Sequence, residues 1–511
     1  MRDIKNKIGE LLEGEKFSSA TMTAMLIAVV LVANTVIYTV FSLLGWQLSP
    51  AMNEDFSLSG HFDETLEQAG MAGKKITIMF CFPSEKDVRE HGTGGYVYRT
   101  AKAFEERYPD VVELKYVNIL TNTDSDGNHV DVSKYSKDKD GNETPIAKSS
   151  VIVISGDNYK VLSDLRTSAG YSNFYVLDYS GSQPEAIAYN GEEVIMSAMS
   201  WVLQDEHKKA YFTFGHSETI DASFADLISR AGYDVATVDL KSAEVPDDAD
   251  LLVISNPRTD FEASDKNTNA RSESYRLEHY LETGGNLFVT LNTLSDELKN
   301  LEAILADHGI ALSYAESKDG ERAVNIVRDL AASIVPSGYT IAADFPENAA
   351  GRWMADTVAR YSGGRVILGD VAALELSGNA EPLLVSTSGA ELFAHGAVTD
   401  SAGGYTLAAY STVTGIDGKE GKIVVVPTAQ MATTAALVTN GYANRDFIYS
   451  IFDFVYKAEL LPYGSSLISF NTTTLEGLTM GTANVYTAVL LAIPVIVAVA
   501  GAVILVRRKN R

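Results

Sequence analysis

Cysteine is almost absent from this chain: Cys81 is the one cysteine in 511 residues. One thiol closes no internal disulfide and builds no cysteine-based zinc site. Positive charge is also scarce. Lys and Arg number 41 against 67 Asp and Glu, a formal charge of −26. A chain this acidic repels phosphate, which argues against nucleic acid as a partner. There is no GxxxxGK[ST], so ATP is not held through a P-loop, and neither HExxH nor GxSxG occurs. The eight histidines show no pair at metal-ligand spacing, so no metal and no cofactor is expected. The glycines Gly92, Gly94 and Gly95 follow a strand but fit no dinucleotide-binding pattern, and they read as a flexible loop. Hydrophobic residues at 46% and charged residues at 21% exclude a collagen-like or mainly disordered chain. The length exceeds one ordinary domain.

Long apolar runs are present, and there are two. No charge occurs from Phe17 to Asn53, and residues 21–44 are strongly apolar. No charge occurs from Gly477 to Val506, and residues 485–506 are apolar, with Pro494 inside them. About 20 residues of helix cross a bilayer's hydrocarbon core, so each run reads as a transmembrane helix, and the proline kinks the second without preventing insertion. The tail 507–511 carries Arg507, Arg508, Lys509 and Arg511 and no acid, which places it in the cytoplasm. The basic residues of 1–20 favour the same side for the N-terminus. The expected protein therefore has two spans in the cell membrane, both termini cytoplasmic, and an acidic extracytoplasmic body between them. The first run is longer than the apolar core of a cleaved signal peptide, so it reads as an uncleaved anchor.

The body reads as α/β, with mostly parallel sheets. A first domain is expected over 60–205. Lys74–Pro83 reads as a buried strand, Tyr96, Thr100, Phe104 and Tyr108 as a helix face stopped by Pro109, and Val111–Ile119 and Ser150–Ser155 as strands. Cys81 lies in the first strand and reads as an inert buried thiol. The pieces Asp124–Asn128 and Asp138–Asn142 place carboxylates before a glycine. They lack the remaining calcium ligands and read as solvated turns. Gly191–Gln204 reads as a helix. A second domain is expected over 206–460, where strands and helices alternate as in a parallel sheet covered on both faces. Within it, 310–420 reads as a β-rich insertion.

The best polar constellation lies at the carboxyl ends of the second domain's strands, where doubly wound sheets bind ligands. His216, Ser217 and Glu218 follow one strand, Asn256 and Arg258 a second, and Asn292 a third. His216 with Glu218 is a candidate acid/base pair, with the Ser217 hydroxyl close by. Equally, these are residue types that satisfy loop backbone and cap helices. With no activated nucleophile in view, they are taken as ligand- or partner-binding residues, and no catalytic residue is assigned.

The order of segments resembles the GldG-type auxiliary proteins of ABC transport systems, a family named for a gliding-motility component. The resemblance runs from the first apolar span through the strand-helix-strand of Lys74–Ile119, the stretch Asn190–Glu218, Asp248–Phe261, Tyr280–Asn292 and Leu301–Ile310. It continues to the late GYANRDFIYSIFDFV and the closing span. The family's Gly-His-Gly-Glu loop appears as Gly215-His216-Ser217-Glu218, and serine is disfavoured in torsions that glycine adopts freely. The resemblance implies a non-catalytic, membrane-anchored subunit whose partners are a permease and a separate P-loop ATPase. Two rivals stand beside it: a membrane-tethered hydrolase of envelope glycans or peptides, which needs paired carboxylates or a working His216–Glu218 site, and a structural or sensing envelope protein.

Overall fold

The computed structural model describes residues 58–59, 63 and 74–470, except 93, 138–145, 163–171, 179–183, 265–270 and 440. Both expected membrane spans and the second Asp-Gly turn lie outside the described residues. Among the described residues, no helix is long and apolar enough to cross a membrane.

The first subdomain is built on a five-stranded sheet. Its elements run β1 (Ile76–Phe80), α1 (Glu85–Glu90), α2 (Gly94–Arg107), β2 (Val112–Asn118), β3 (Thr123–Asp124), β4 (Val151–Ser155) and β5 (Asn158–Leu162). The spatial order is β3-β2-β1-β4-β5. Only β1 and β2 run parallel; β3, β4 and β5 each pair antiparallel. The expectation of a mostly parallel sheet fails here. Neither β2–β3 nor β4–β5 has a helical crossover between its strands, and antiparallel pairing needs none. Gly94 and Gly95 do not form a loop. They open α2, and a Cβ on Gly95 would stand 3.0 Å from the Arg89 carbonyl oxygen. The turn at Asp124 is of the solvated kind: Asp124 Oδ1 accepts from the amides of Asp126 (3.0 Å) and Asn128 (2.7 Å).

A hairpin, β6 (Tyr175–Asp178) with β7 (Glu185–Tyr189), leads into helix α3 (Gly191–Leu203). Every residue of α3 except Trp201 is buried. It is covered by several elements: α3 packs on β4 and β5 of the first sheet, on α2, and on the first helix of the second subdomain.

The second subdomain contains β8 (Lys208–Thr213), α4 (Ala222–Arg230), β9 (Tyr233–Val238), β10 (Leu251–Ser255), α5 (Glu273–Glu282), β11 (Leu287–Thr290) and α6 (Lys299–Asp307). It continues with short strands β12 (Ile310–Leu312), β13 (Tyr314–Glu316), β14 (Arg322–Val324), β15 (Ile326–Arg328) and β16 (Thr340–Ala342), then helix α7 (Ala349–Tyr361). Next come β17 (Ile367–Gly369), β18 (Leu374–Leu376), β19 (Glu381–Val385), β20 (Glu391–Ala394), β21 (Ala397–Asp400), β22 (Thr406–Thr414) and β23 (Glu420–Val426). Helices α8 (Thr434–Val438) and α9 (Asn444–Phe454) and strand β24 (Ile468–Ser469) finish the described chain.

The main sheet has nine strands, ordered β9-β8-β10-β11-β23-β22-β18-β12 with β19 alongside β22. The first five in that order are parallel, and the others antiparallel. In chain order the parallel strands are arranged 2-1-3-4-5. That places a topological switch point between β8 and β10. The stretch 310–420 is indeed strand-rich, but it is not separate from the sheet: β12, β18, β19 and β22 extend it. It also contains α7, whose buried Ala350, Met354 and Val358 pack toward α9. Leu251–Ile254 and Ile423–Val426 are fully buried, as expected of strands covered on both faces.

Candidate functional site

The loop after β8 and the loop after β10 meet at the switch point, and they close on each other. Arg258 N and Thr259 N donate to the His216 carbonyl oxygen at 2.9 and 3.1 Å. Thr219 N donates to the Ser255 carbonyl oxygen at 3.2 Å, and Ser255 Oγ to the Thr219 carbonyl oxygen at 3.0 Å.

His216 is fully buried. Its ring stacks on Phe261, centroids 4.0 Å apart. Nδ1 lies 3.0 Å from Glu218 Oε1, and Nε2 lies 2.9 Å from Glu273 Oε1. Glu218 Oε2 also accepts from His216 N at 2.7 Å, and Glu273 Oε2 from Glu262 N at 2.7 Å. Burial opposes charge on the imidazole, but the hydrogen bonds to Glu218 and Glu273 outweigh it and hold the His216 pKa above its ordinary value. Burial likewise opposes charge on Glu218, and His216 with the backbone amides outweighs it, so the Glu218 pKa is lowered. Both ring nitrogens of His216 thus face carboxyl oxygens, which favours the charged form of the imidazole. With both ring nitrogens engaged and no exposed surface, His216 is placed to tie three segments together.

Gly215 and Ser217 both sit in the left-handed region, at φ +117° and +55°. Ser217 therefore adopts the torsion that suits glycine. Its side chain is exposed, as is that of Arg258. Asn256 also has positive φ, +52°, which asparagine tolerates better than most residues. Its Oδ1 is buried without a hydrogen-bond partner among the described residues. The structure thus brings His216, Ser217, Glu218, Asn256 and Arg258 into one loop cluster at the switch point.

Asn292 follows β11 in the next loop, which touches this cluster through Ser295 Oγ donating to the Pro257 carbonyl oxygen at 3.4 Å. It lines a cavity of about 300 Å³ between the β11–α6 loop and the β13–β14 hairpin, together with Glu297, Glu302, Tyr314 and Arg322. Tyr314 Oη donates to Glu302 at 2.8 Å, and Leu298 N donates to Glu302 Oε1 at 2.9 Å. Arg322 pairs with Glu297 at 2.5 Å and lies 4.3 Å from the Tyr314 ring centroid. Burial raises the Glu302 pKa in spite of the Tyr314 hydrogen bond.

Glu273 carried no signal in the sequence. It follows the helix N-cap Ser272, where an acidic residue is ordinary, and it reaches His216 across 57 positions. The Glu302 cavity was equally silent, because the hairpin that covers it lies in the stretch with the weakest periodicity. A third polar centre lies where the subdomains meet: Glu193 of α3 faces Arg230, Arg445 and Tyr449. No group of His, Cys, Asp and Glu among the described residues is arranged to hold a metal ion.

No protein-family model matches the chain, and no curated protein matches it. Among solved structures it is similar to the mmIFT52 N-terminal domain at 16% identity, covering 48% of this chain and 96% of that one, with a TM-score of 0.36. It is also similar to a putative ThuA-like protein from Bacteroides uniformis ATCC 8492 at 9% identity, covering 50% and 95%, with a TM-score of 0.29. Similarities this low carry no argument about function.

Proposed function

We propose that the chain is a membrane-anchored, extracytoplasmic accessory subunit of an ABC-type transport complex, and that its body binds a ligand or partner and catalyses no reaction. Residues 21–44 and 485–506 are its anchors, and a permease and a separate P-loop ATPase are its partners. The observation that carries the non-catalytic part is the state of His216. The residue best suited to acid/base work has both nitrogens committed to carboxylates and no surface open to a substrate. The ordered resemblance to GldG-type proteins supports the rest. The ligand-facing part of the candidate edge is then Asn292 and its cavity, together with the exposed side chains of Ser217 and Arg258.

One observation favours the hydrolase alternative. Glu297 and Glu302 line one cavity in unlike environments, the first paired with Arg322 and the second pushed toward its neutral form. A buried carboxyl pushed toward its neutral form beside a second acid is an arrangement that acid/base chemistry uses. Two assays separate the readings. Protease added to sealed, right-side-out vesicles digests the body and spares both termini if the two-span topology holds. Glycan and peptide hydrolysis by the purified chain is absent under the accessory-subunit reading. Turnover that Glu302→Gln abolishes establishes the enzyme instead.

A further inference from the structure

Both ends of the described body meet on one side chain. Glu192, in the first turn of α3, is buried. Its Oε1 accepts from Ser59 N and Ser59 Oγ, both at 2.6 Å. Its Oε2 accepts from Ser466 N at 2.7 Å and Ser466 Oγ at 2.8 Å. Four donors fill the acceptor capacity of one carboxylate, and bonds to an ionised acceptor are the strong kind. Ser59 follows the apolar stretch 21–44, and Ser466 precedes the apolar stretch 485–506. Each segment has further ties. Arg107 of α2 donates to the Leu58 carbonyl oxygen at 3.3 Å. After Ser466, β24 pairs with β7, and the Phe470 ring sits 6.0 Å from that of Tyr96.

The next residue, Glu193, serves the boundary between the subdomains. Arg445 of α9 closes a ring through it: Nη1 lies 3.3 Å from Glu193 Oε2, and Nη2 donates to the Ser465 carbonyl oxygen at 2.8 Å. The amide of the following residue, Ser466, is the one held by Glu192. Beside it, Gly464 N donates to Asp446 Oδ1 at 3.3 Å. Two adjacent glutamates, two adjacent linker residues and one arginine thus form a continuous cycle of charge-assisted bonds.

We propose that Glu192 is a clasp joining the two chain segments that lead to the apolar stretches, and that the cycle Glu192–Ser466–Ser465–Arg445–Glu193 relays displacement of either segment into the boundary between the subdomains. The cycle is short, with Glu192, Glu193 and Ser465 buried and Ser466 at the surface, so a segment cannot move away without breaking a bond to a charged group whose other bonds hold the boundary. The use of such a relay in a transporter rests on the accessory-subunit reading above. The clasp itself does not.

The test is hydrogen exchange read by mass spectrometry on the full chain in detergent micelles, comparing the parent with Glu192→Gln and Ser59→Ala. The glutamine keeps the side chain's size and turns one acceptor into a donor that faces other donors. Exchange at the Ser59 and Ser466 amides is expected to rise by about tenfold or more, with a rise also across Arg445–Tyr449. Parent-like protection of both serines in Glu192→Gln overturns the clasp. Opened serines with unchanged exchange across Arg445–Tyr449 overturn the relay. Ser59→Ala removes one hydroxyl bond and leaves Glu192 itself in place, so it serves if Glu192→Gln does not fold: a rise at the Ser466 amide supports the clasp, and an unchanged rate contradicts it. Carbonate extraction of parent membranes keeps the two claims separate. Release of the chain contradicts membrane anchoring and leaves the exchange result standing.

Discussion

Glu193 Oε2 lies 3.3 Å from Arg445 Nη1, and this pair ties helix α3 of the first subdomain to helix α9 of the second. Arg230 Nη1 stands 3.7 Å from the other carboxylate oxygen, which also accepts from Tyr449 Oη. Burial opposes the charge on Glu193, but the two arginines outweigh it, and its pKa is lowered. Removing one member of such a group strands the others, at about 3–5 kcal/mol. Glu193→Gln is therefore expected to lower unfolding stability by about that much in urea titrations at neutral pH, and Glu193→Gln with Arg445→Met by less than the two single losses added together. A loss below about 1 kcal/mol for Glu193→Gln, the size of an exposed ion pair, contradicts the assignment.

Ser217 pays a torsional cost at φ +55°. The left-handed region costs a non-glycine residue about 1–2 kcal/mol, part of which glycine gives back through its looser unfolded chain. Ser217→Gly should stabilise the protein by about 0.5–1 kcal/mol, measured as a shift in the urea midpoint at constant slope. A destabilised Ser217→Gly protein would mean that the serine hydroxyl makes a contact worth more than the strain.

The His216 cluster makes stability depend on pH in a stated direction. The folded His216 pKa is raised, so its contribution is complete below the ordinary value of 6.5 and is lost as pH rises through the folded value. The folded Glu218 pKa is lowered, so its contribution is complete above the ordinary value of 4.5 and is lost as pH falls through the folded value. The stability difference between the parent and His216→Asn should therefore be largest between about pH 4.5 and 6.5 and shrink on both sides. A difference that grows steadily above pH 7 contradicts a raised pKa at this position.

Legibility in the sequence followed periodicity. Strands β10 and β11 and the end of β23 were readable because each is a continuous apolar run, and the loops after β8 and β10 meet where that order of strands requires. Helix α7 was missed: it lies in the stretch of short apolar runs between Gly and Asp turns that read as strands. The direction of β4 was not readable either, because a buried strand looks the same whether its neighbour runs parallel or antiparallel. The six candidate residues were chosen by their place at strand ends. That placement holds for the loops, but it does not disclose which side chains turn inward. His216 turned out to be tied up by Glu273, an acid from a helix start, and Asn292 to face a cavity of its own.

Cys81 should be silent toward thiol reagents in the native state. It is buried at the end of β1, and burial pushes its pKa up to about 12. The thiolate is the reactive form, so labelling by iodoacetamide at pH 8 should proceed only at the rate of unfolding and become complete in denaturant. Rapid stoichiometric labelling of the folded chain contradicts this placement.

The most direct test of the central claim is what the full-length chain brings with it from the membrane. Isolated in mild detergent and analysed by mass spectrometry, it should carry a P-loop ATPase and a multi-span permease in fixed proportion, and both should remain when Ser217 or Arg258 is replaced singly by alanine. Recovery of the chain by itself, from membranes in which such a transporter is present and intact, contradicts the accessory-subunit account.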